Sequence, residues 1–161
     1  MRFKILSMAA ALMLVAACST TSEDSAATTG TGATSSVSGP KMGSQEDLVV
    51  NVGDRVFFDF DRYNLKPDAR RTLEKQAVWL KKHPSAGITL EGHADERGTR
   101  EYNLALGERR ARAVKQVLIL QGAYADQIEM VSYGEEKPVS LSHDDESWAL
   151  NRRVEFVYQG Q

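Results

Sequence analysis

The sequence predicts an α+β fold: a two-layer α/β sandwich in the order β-α-β-α-β-β, with two helices on one face of a mixed four-stranded sheet. Three observations carry this expectation. Short apolar runs rich in β-branched and aromatic residues lie at residues 55–60, 88–91, 128–133 and 153–158. Two segments between the early runs repeat their apolar residues at helical spacing, and strands alternate with helices as in layered α/β domains. A chain of 161 residues that is 42% hydrophobic and 26% charged has ordinary globular composition.

The first strand, RVFFDF at residues 55–60, ends in the turn-like DRYN of residues 61–64. Pro67 then suits the first turn of a helix, where its missing N–H costs nothing. Ala69, Leu73, Ala77 and Leu80 follow at steps of 4, 4 and 3, forming one apolar stripe, and Pro84 stops the helix after Lys81, Lys82 and His83. ITLE at residues 88–91 is the second strand. Gly98 and Thr99 open a long helix over residues 100–121, which Gly122 closes. IEMVSY (residues 128–133) and RVEFVY (residues 153–158) supply the last two strands, and the stretch between them reads as a polar loop.

The first 47 residues break this pattern. Arg2 and Lys4 give a basic start, residues 5–17 are apolar, and Val15, Ala16 and Ala17 put small side chains before Cys18. Residues 1–17 therefore read as a secretory signal, too short for an ordinary transmembrane helix. Cys18 is the only cysteine, so no intramolecular disulfide can form. Its place directly after the cleavage zone resembles the lipobox of bacterial lipoproteins, which implies a lipidated Cys18 as the mature N-terminus. The blander alternative is a secreted protein with an unpaired thiol, a liability in an oxidising exterior. Ser19, rather than Asp, after the cysteine resembles outer-membrane lipoproteins of Gram-negative bacteria. Residues 18–47 then comprise the lipidated cysteine and a flexible tether, because Ser, Thr, Ala and Gly dominate residues 19–44 and bury too little to offset ordering entropy. Such a coil spans roughly 28 Å on average. Residues 48–161 form the folded domain.

Charge narrows the partners. The formal net charge is -2 with a pI near 5.9, and removing residues 1–17 leaves 18 basic against 22 acidic side chains, a mature charge of -4. No polybasic field exists to attract nucleic acid or a bare anionic membrane. Binding must come from a local site.

On the long helix, Leu106, Arg110, Ala113 and Val117 follow steps of 4, 3 and 4 and share a face, so Arg110 lies on a stripe that otherwise packs inward. Asn103 precedes Arg110 by two turns, about 10 Å along the axis, and belongs to the same face. A cation there needs a partner or a ligand. Asp95, in the Gly-bounded loop between the second strand and this helix, is the candidate to share the site. Two readings stand: an internal Asp95–Arg110 salt bridge, or two charges facing a common cleft that holds a zwitterion, with Asp95 taking an ammonium and Arg110 a carboxylate. Arginine's planar fork suits the second task, and free N–H groups near Thr99 add a preference for anions.

Five motifs give these residues a wider context: FFDFD (57–61), GHADERGT (92–99), EYNLALGERRA (101–111), SYGEEKP (132–138) and NRR (151–153). Together they resemble the OmpA-like domain superfamily and, within it, the peptidoglycan-associated lipoproteins, over residues 48–158. The resemblance implies non-covalent binding of peptidoglycan through the meso-diaminopimelate of its stem peptide, whose free end carries both an ammonium and a carboxylate. It further implies an outer-membrane anchor on Cys18 with the head in the periplasm, and Tol-system partners, TolB and TolA. The family's binding positions fall on Asp59, Asp95, Asn103 and Arg110, with Thr99 and Leu106 lining the same groove and Phe60 packing on the peptide. The same motifs leave Arg152 and Arg153 open between a structural ion pair and ligand contact, whereas Arg109 and Arg112 point away from the Arg110 face and are expected to be solvated. A Tol-independent lipoprotein of the same superfamily, or a protein-interaction module whose Asp95 and Arg110 are purely structural, are the alternatives.

An enzyme is the least favoured class. The three histidines, His83, His93 and His143, have no i, i+4 partner among themselves, and no standard zinc set, nucleophile elbow or phosphate loop exists in the sequence. Asp95 and Glu96 are adjacent, which is poor geometry for a pair of carboxylates working from opposite sides of one bond. No cofactor or metal is expected.

Overall fold

A computed structural model describes residues 39–160. The signal segment, Cys18 and most of the expected tether lie outside the described residues. Within them, folded structure begins earlier than hydrophobic patterning suggests. Ser44 caps a single helical turn, α1 (Gln45–Asp47), which runs into a π-helical turn at Leu48–Val52. Asp47 is buried there and accepts from Trp79 Nε1 at 2.8 Å, from Asn51 Nδ2 at 2.8 Å and from the Gly43 amide at 2.9 Å. The last residues of the expected tether, 44–47, are thus part of the folded unit.

Strand β1 (Arg55–Phe57) is followed by α2 (Pro67–Lys82), β2 (Gly87–His93), α3 (Arg100–Leu120), a 3-10 turn at Ala125–Gln127, β3 (Ile128–Gly134), α4 (Asp145–Asn151) and β4 (Arg153–Gln159). The sheet order is β1-β4-β2-β3, with β2 and β3 parallel and the other two pairings antiparallel. The mixed four-stranded α+β sandwich is as the sequence predicts. Two local differences have physical causes. The first strand ends at Phe57, not Phe60, because its ladder stops where Phe57 meets Arg153, the first residue of β4. The expected polar loop contains α4, whose N-cap is Asp144: its Oδ1 accepts from the Ser147 amide at 2.8 Å.

The core lies between the sheet and the α2–α3 layer. Val56, Ile88, Leu90, Val154 and Phe156 point from the strands into it, meeting Leu73, Ala77 and Leu80 of α2 and Ala111, Val114 and Leu118 of α3. Each fully buried leucine of this set contributes roughly 1.5–3 kcal/mol. On α3 the buried stripe is Asn103, Leu106, Gly107, Arg110, Ala111, Val114 and Leu118, and Ala113 and Val117 flank it half-buried. The stripe rotates toward Gly107 because this helix touches the sheet backbone to backbone. A Cβ at Gly92 would lie 2.0 Å from the Gly107 carbonyl oxygen, so neither position has room for a side chain. That contact seats the first half of α3, with Asn103 and Arg110, against the C-terminal end of β2.

Candidate functional site

The site forms where the turn after β1, the C-terminal end of β2, the start of α3 and the chain leading into β4 converge. Asp95 is buried, 4% exposed, at the end of β2. Its Oδ2 accepts from Arg97 at 2.7 Å and from Arg152 at 3.1 Å, and its Oδ1 from the Arg97 backbone amide at 3.2 Å. Burial alone would raise this carboxyl, but the hydrogen bonds from Arg97 and Arg152 outweigh it and hold it below the ordinary aspartate range. Asp95 is a stable anion near neutral pH.

Arg110 is fully buried on α3. Its guanidinium donates to three main-chain oxygens: Nε to Arg62 at 2.9 Å, one terminal nitrogen to His93 at 2.7 Å and the other to Asp59 at 3.1 Å. Burial draws its pKa down to about 10, against the favourable charge of Asp95, so it stays a cation at neutral pH. Asp95 and Arg110 do not form the direct salt bridge that one sequence reading allowed. Asp95 is paired with Arg97 and Arg152, while Arg110 sits in a bowl of carbonyls.

Between the start of α3 and the turn after β1 opens a cleft of about 230 Å³ lined by Phe60, Asp61, Arg97, Gly98, Tyr102, Asn103 and Leu106. Phe60 is 54% exposed at its rim, and Leu106 is buried at its wall. Asn103 Nδ2 donates to the Asp95 carbonyl at 3.1 Å and the Arg97 carbonyl at 3.3 Å, holding the loop that carries both charged side chains. Thr99 is exposed and acts as the N-cap of α3, its hydroxyl accepting from the Tyr102 amide at 3.2 Å. Asp59 is exposed, paired through its carboxylate with Lys66 at 2.5 Å and through its carbonyl with Arg110. Phe60, Asn103 and Leu106 thus share the cleft, Asp95 and Arg110 lie beside it, and Asp59 and Thr99 stand outside its lining.

Sequence reasoning missed Arg97 and Trp148 and left Arg152 open between an ion pair and ligand contact. Arg97 and Arg152 both ligate Asp95, and Trp148 of α4 stacks on Arg97. Arg152 lies in the NRR motif before β4, the one signal that pointed toward it. Arg153, its neighbour, instead pairs with Glu155 at 3.0 Å and is buried near His93. Glu96 turns away from Asp95, accepting from Trp148 Nε1 at 2.8 Å and pairing with His143 at 2.7 Å. Arg109 and Arg112 are exposed. Among the described residues no group of three or more His, Cys, Asp or Glu side chains is arranged to hold a metal ion.

Residues 57–152 match the OmpA family. The chain belongs to the OmpA family. Within 118 aligned residues it is 54% identical to a peptidoglycan-associated lipoprotein of Rhizobium meliloti, covering 73% of this chain and 67% of that one. The crystal structure of the peptidoglycan-associated lipoprotein from Burkholderia pseudomallei superposes with a TM-score of 0.65 at 51% identity, over 66% of this chain and 90% of that one. The C-terminal domain of Helicobacter pylori MotB shares the OmpA-like architecture with a TM-score of 0.63 at 25% identity, over 67% of this chain and 85% of that one. The OmpA family match begins at Phe57, the last residue of β1, takes in α2, β2, α3, β3 and α4, and ends at Arg152, so it contains every residue of the cleft.

Proposed function

We propose that this chain is an outer-membrane lipoprotein whose periplasmic head binds peptidoglycan non-covalently by the meso-diaminopimelate of the stem peptide. Lipid on Cys18 anchors it, residues 18–43 tether it, and the head links membrane to wall. Two acyl chains or more give a stable anchor where one gives only reversible binding, each buried methylene contributing roughly 0.8 kcal/mol. Among the described residues no helix is long and apolar enough to cross a membrane.

One observation carries the reading. A buried anion, Asp95, bonds to Arg97 of the cleft wall, and a buried cation, Arg110, lies one helical turn beyond Leu106 of the same wall, and the two do not neutralise each other directly. A free diaminopimelate end carries the complementary pair of charges. In this reading Asp95 receives its ammonium and the spare N–H groups of Arg110 its carboxylate, with Asn103 setting the loop, Leu106 and Phe60 packing on the methylenes, and Thr99 and Asp59 at the rim. Relatives named peptidoglycan-associated lipoprotein support the ligand class.

The test is co-sedimentation of the head, residues 39–161, with insoluble peptidoglycan. The expected result is retention of the wild type and loss of retention in Asp95→Ala. Retention of both in equal amount, or of neither, refutes the site. Incorporation of a labelled fatty acid, absent in Cys18→Ser, tests the anchor separately. We further propose, from the relatives, that the head joins the Tol system through TolB and TolA. Failure to retain either protein on immobilised full chain would leave a Tol-independent wall-binding lipoprotein.

A further inference from the structure

Arg97 occupies the place that the cation of a ligand would take. Its guanidinium bonds Asp95 at 2.7 Å and lies between two aromatic rings, 4.0 Å from the centre of Phe60 and 4.1 Å from that of Trp148. Its Nε is buried and has no hydrogen-bond partner among the described residues. The same side chain lines the cleft. A planar cation stacked between rings over a buried carboxylate is the arrangement a protein uses to hold a foreign cation. Here the cation belongs to the chain itself.

The two arginines on Asp95 are not equivalent. Arg152 is 13% exposed and its Nε is fastened to the Phe58 carbonyl at 3.1 Å. Arg97 is 32% exposed, and among the described residues its guanidinium has Asp95 as its one hydrogen-bonded partner. Arg152 is therefore a permanent counter-ion, and Arg97 an exchangeable one.

We propose that Arg97 is a built-in competitor for the ligand's ammonium. The proposal rests on the reading of Asp95 as the ammonium acceptor. In the empty site Arg97 keeps a buried carboxylate from standing underpaired. On binding, the ammonium replaces the guanidinium on Asp95 and Arg97 swings toward solvent, so the local charge is unchanged. A neutral or anionic group cannot make this exchange, which makes Arg97 a selectivity filter for cationic ends. The observed affinity is the intrinsic affinity multiplied by the fraction of molecules with Arg97 released.

The experiment titrates the full chain in mild detergent with free meso-diaminopimelate, comparing wild type, Arg97→Met, Arg97→Lys and Asp95→Asn. Arg97→Met is expected to bind about tenfold more tightly, the scale of losing one stacked and partly solvated ion pair. Arg97→Lys, which keeps the charge but not the stacking plane, falls between the two. In a Trp79→Phe background, Trp148 emission changes on titration of the wild type and stays constant in Arg97→Met. Equal or weaker binding by Arg97→Met overturns the proposal, and if that variant does not fold, equal or weaker binding by Arg97→Lys does so. Asp95→Asn separates the two claims: if it binds like wild type, the acceptor reading fails, whereas lost binding there with weakened Arg97→Met sinks the competitor alone.

Discussion

The guanidinium of Arg110 donates to the main-chain oxygen of His93 at 2.7 Å, tying the middle of α3 to the end of β2 two residues before Asp95. The same group also holds the carbonyls of Asp59 and Arg62, so it fastens three chain segments around the cleft. Arg110→Ala would leave those three oxygens unpaired and open a cavity. We expect a loss of at least about 3 kcal/mol in urea unfolding. Arg110→Lys should recover only part of this, because one point charge cannot address carbonyls in three directions. An Arg110→Ala variant as stable as wild type would show that the bowl is not structural.

The Gly92–Gly107 contact predicts a second effect. Added methyl groups at either position meet backbone or the Ser132 hydroxyl at 2.0–2.7 Å, and α3 must lift off the sheet to accept one. Gly92→Ala should lower stability by about 3 kcal/mol or more and weaken peptidoglycan retention along with it. Thermal unfolding checks the first effect and co-sedimentation the second.

Asp47 predicts that the N-terminal turn belongs to the folding unit. The Gly43 amide, Asn51 and Trp79 all donate to its carboxylate and hold it well below the usual range. Asp47→Ala leaves the buried Trp79 N–H unpaired, at a cost of about 2 kcal/mol. A truncation beginning at residue 48 should lose at least as much in denaturant unfolding, whereas a truncation at residue 39 should lose nothing.

His93 predicts a pH dependence that does not involve the cleft. It is 1% exposed and stacked on Tyr133, and neither ring nitrogen has a hydrogen-bond partner among the described residues. Burial, reinforced by Arg153, Lys137 and Arg55 and opposed by Glu155, pulls its pKa from 6.5 to about 4. The unfolded chain therefore binds this proton more readily than the folded one, so stability is full above pH 6.5 and falls as pH drops toward 4. The histidine's share is roughly 3 kcal/mol. Urea unfolding at pH 7 and pH 4.5 should show a smaller loss in His93→Gln than in wild type; equal losses would contradict the buried neutral imidazole.

The parts of the molecule legible in the sequence are those with a period. Arg110 stood out because a cation on an apolar helical stripe violates the pattern, and Asn103 followed from the same geometry. The limits of α2 and α3 were marked by Pro67, Pro84, Thr99 and Gly122. The pairing of Asp95 with Arg152 spans 57 residues between two irregular segments, where no periodic signal exists. Gly92 and Gly107 act through missing side chains, which hydrophobic patterning cannot register. Helix α4 gives little sequence signal because its seven residues carry too few apolar positions to show a stripe, although Asp144 three residues before Ser147 is a readable cap.

We propose that the cleft reads a zwitterion, an ammonium on Asp95 together with a carboxylate on Arg110. Calorimetric titration of the head with meso-diaminopimelate, pimelate and 1,5-diaminopentane tests this directly, because the last two each keep one kind of charge and lack the other. The expected result is saturable binding of meso-diaminopimelate alone, lost in Asp95→Asn. Equal binding of either single-charge analogue, or undiminished binding by Asp95→Asn, would contradict it.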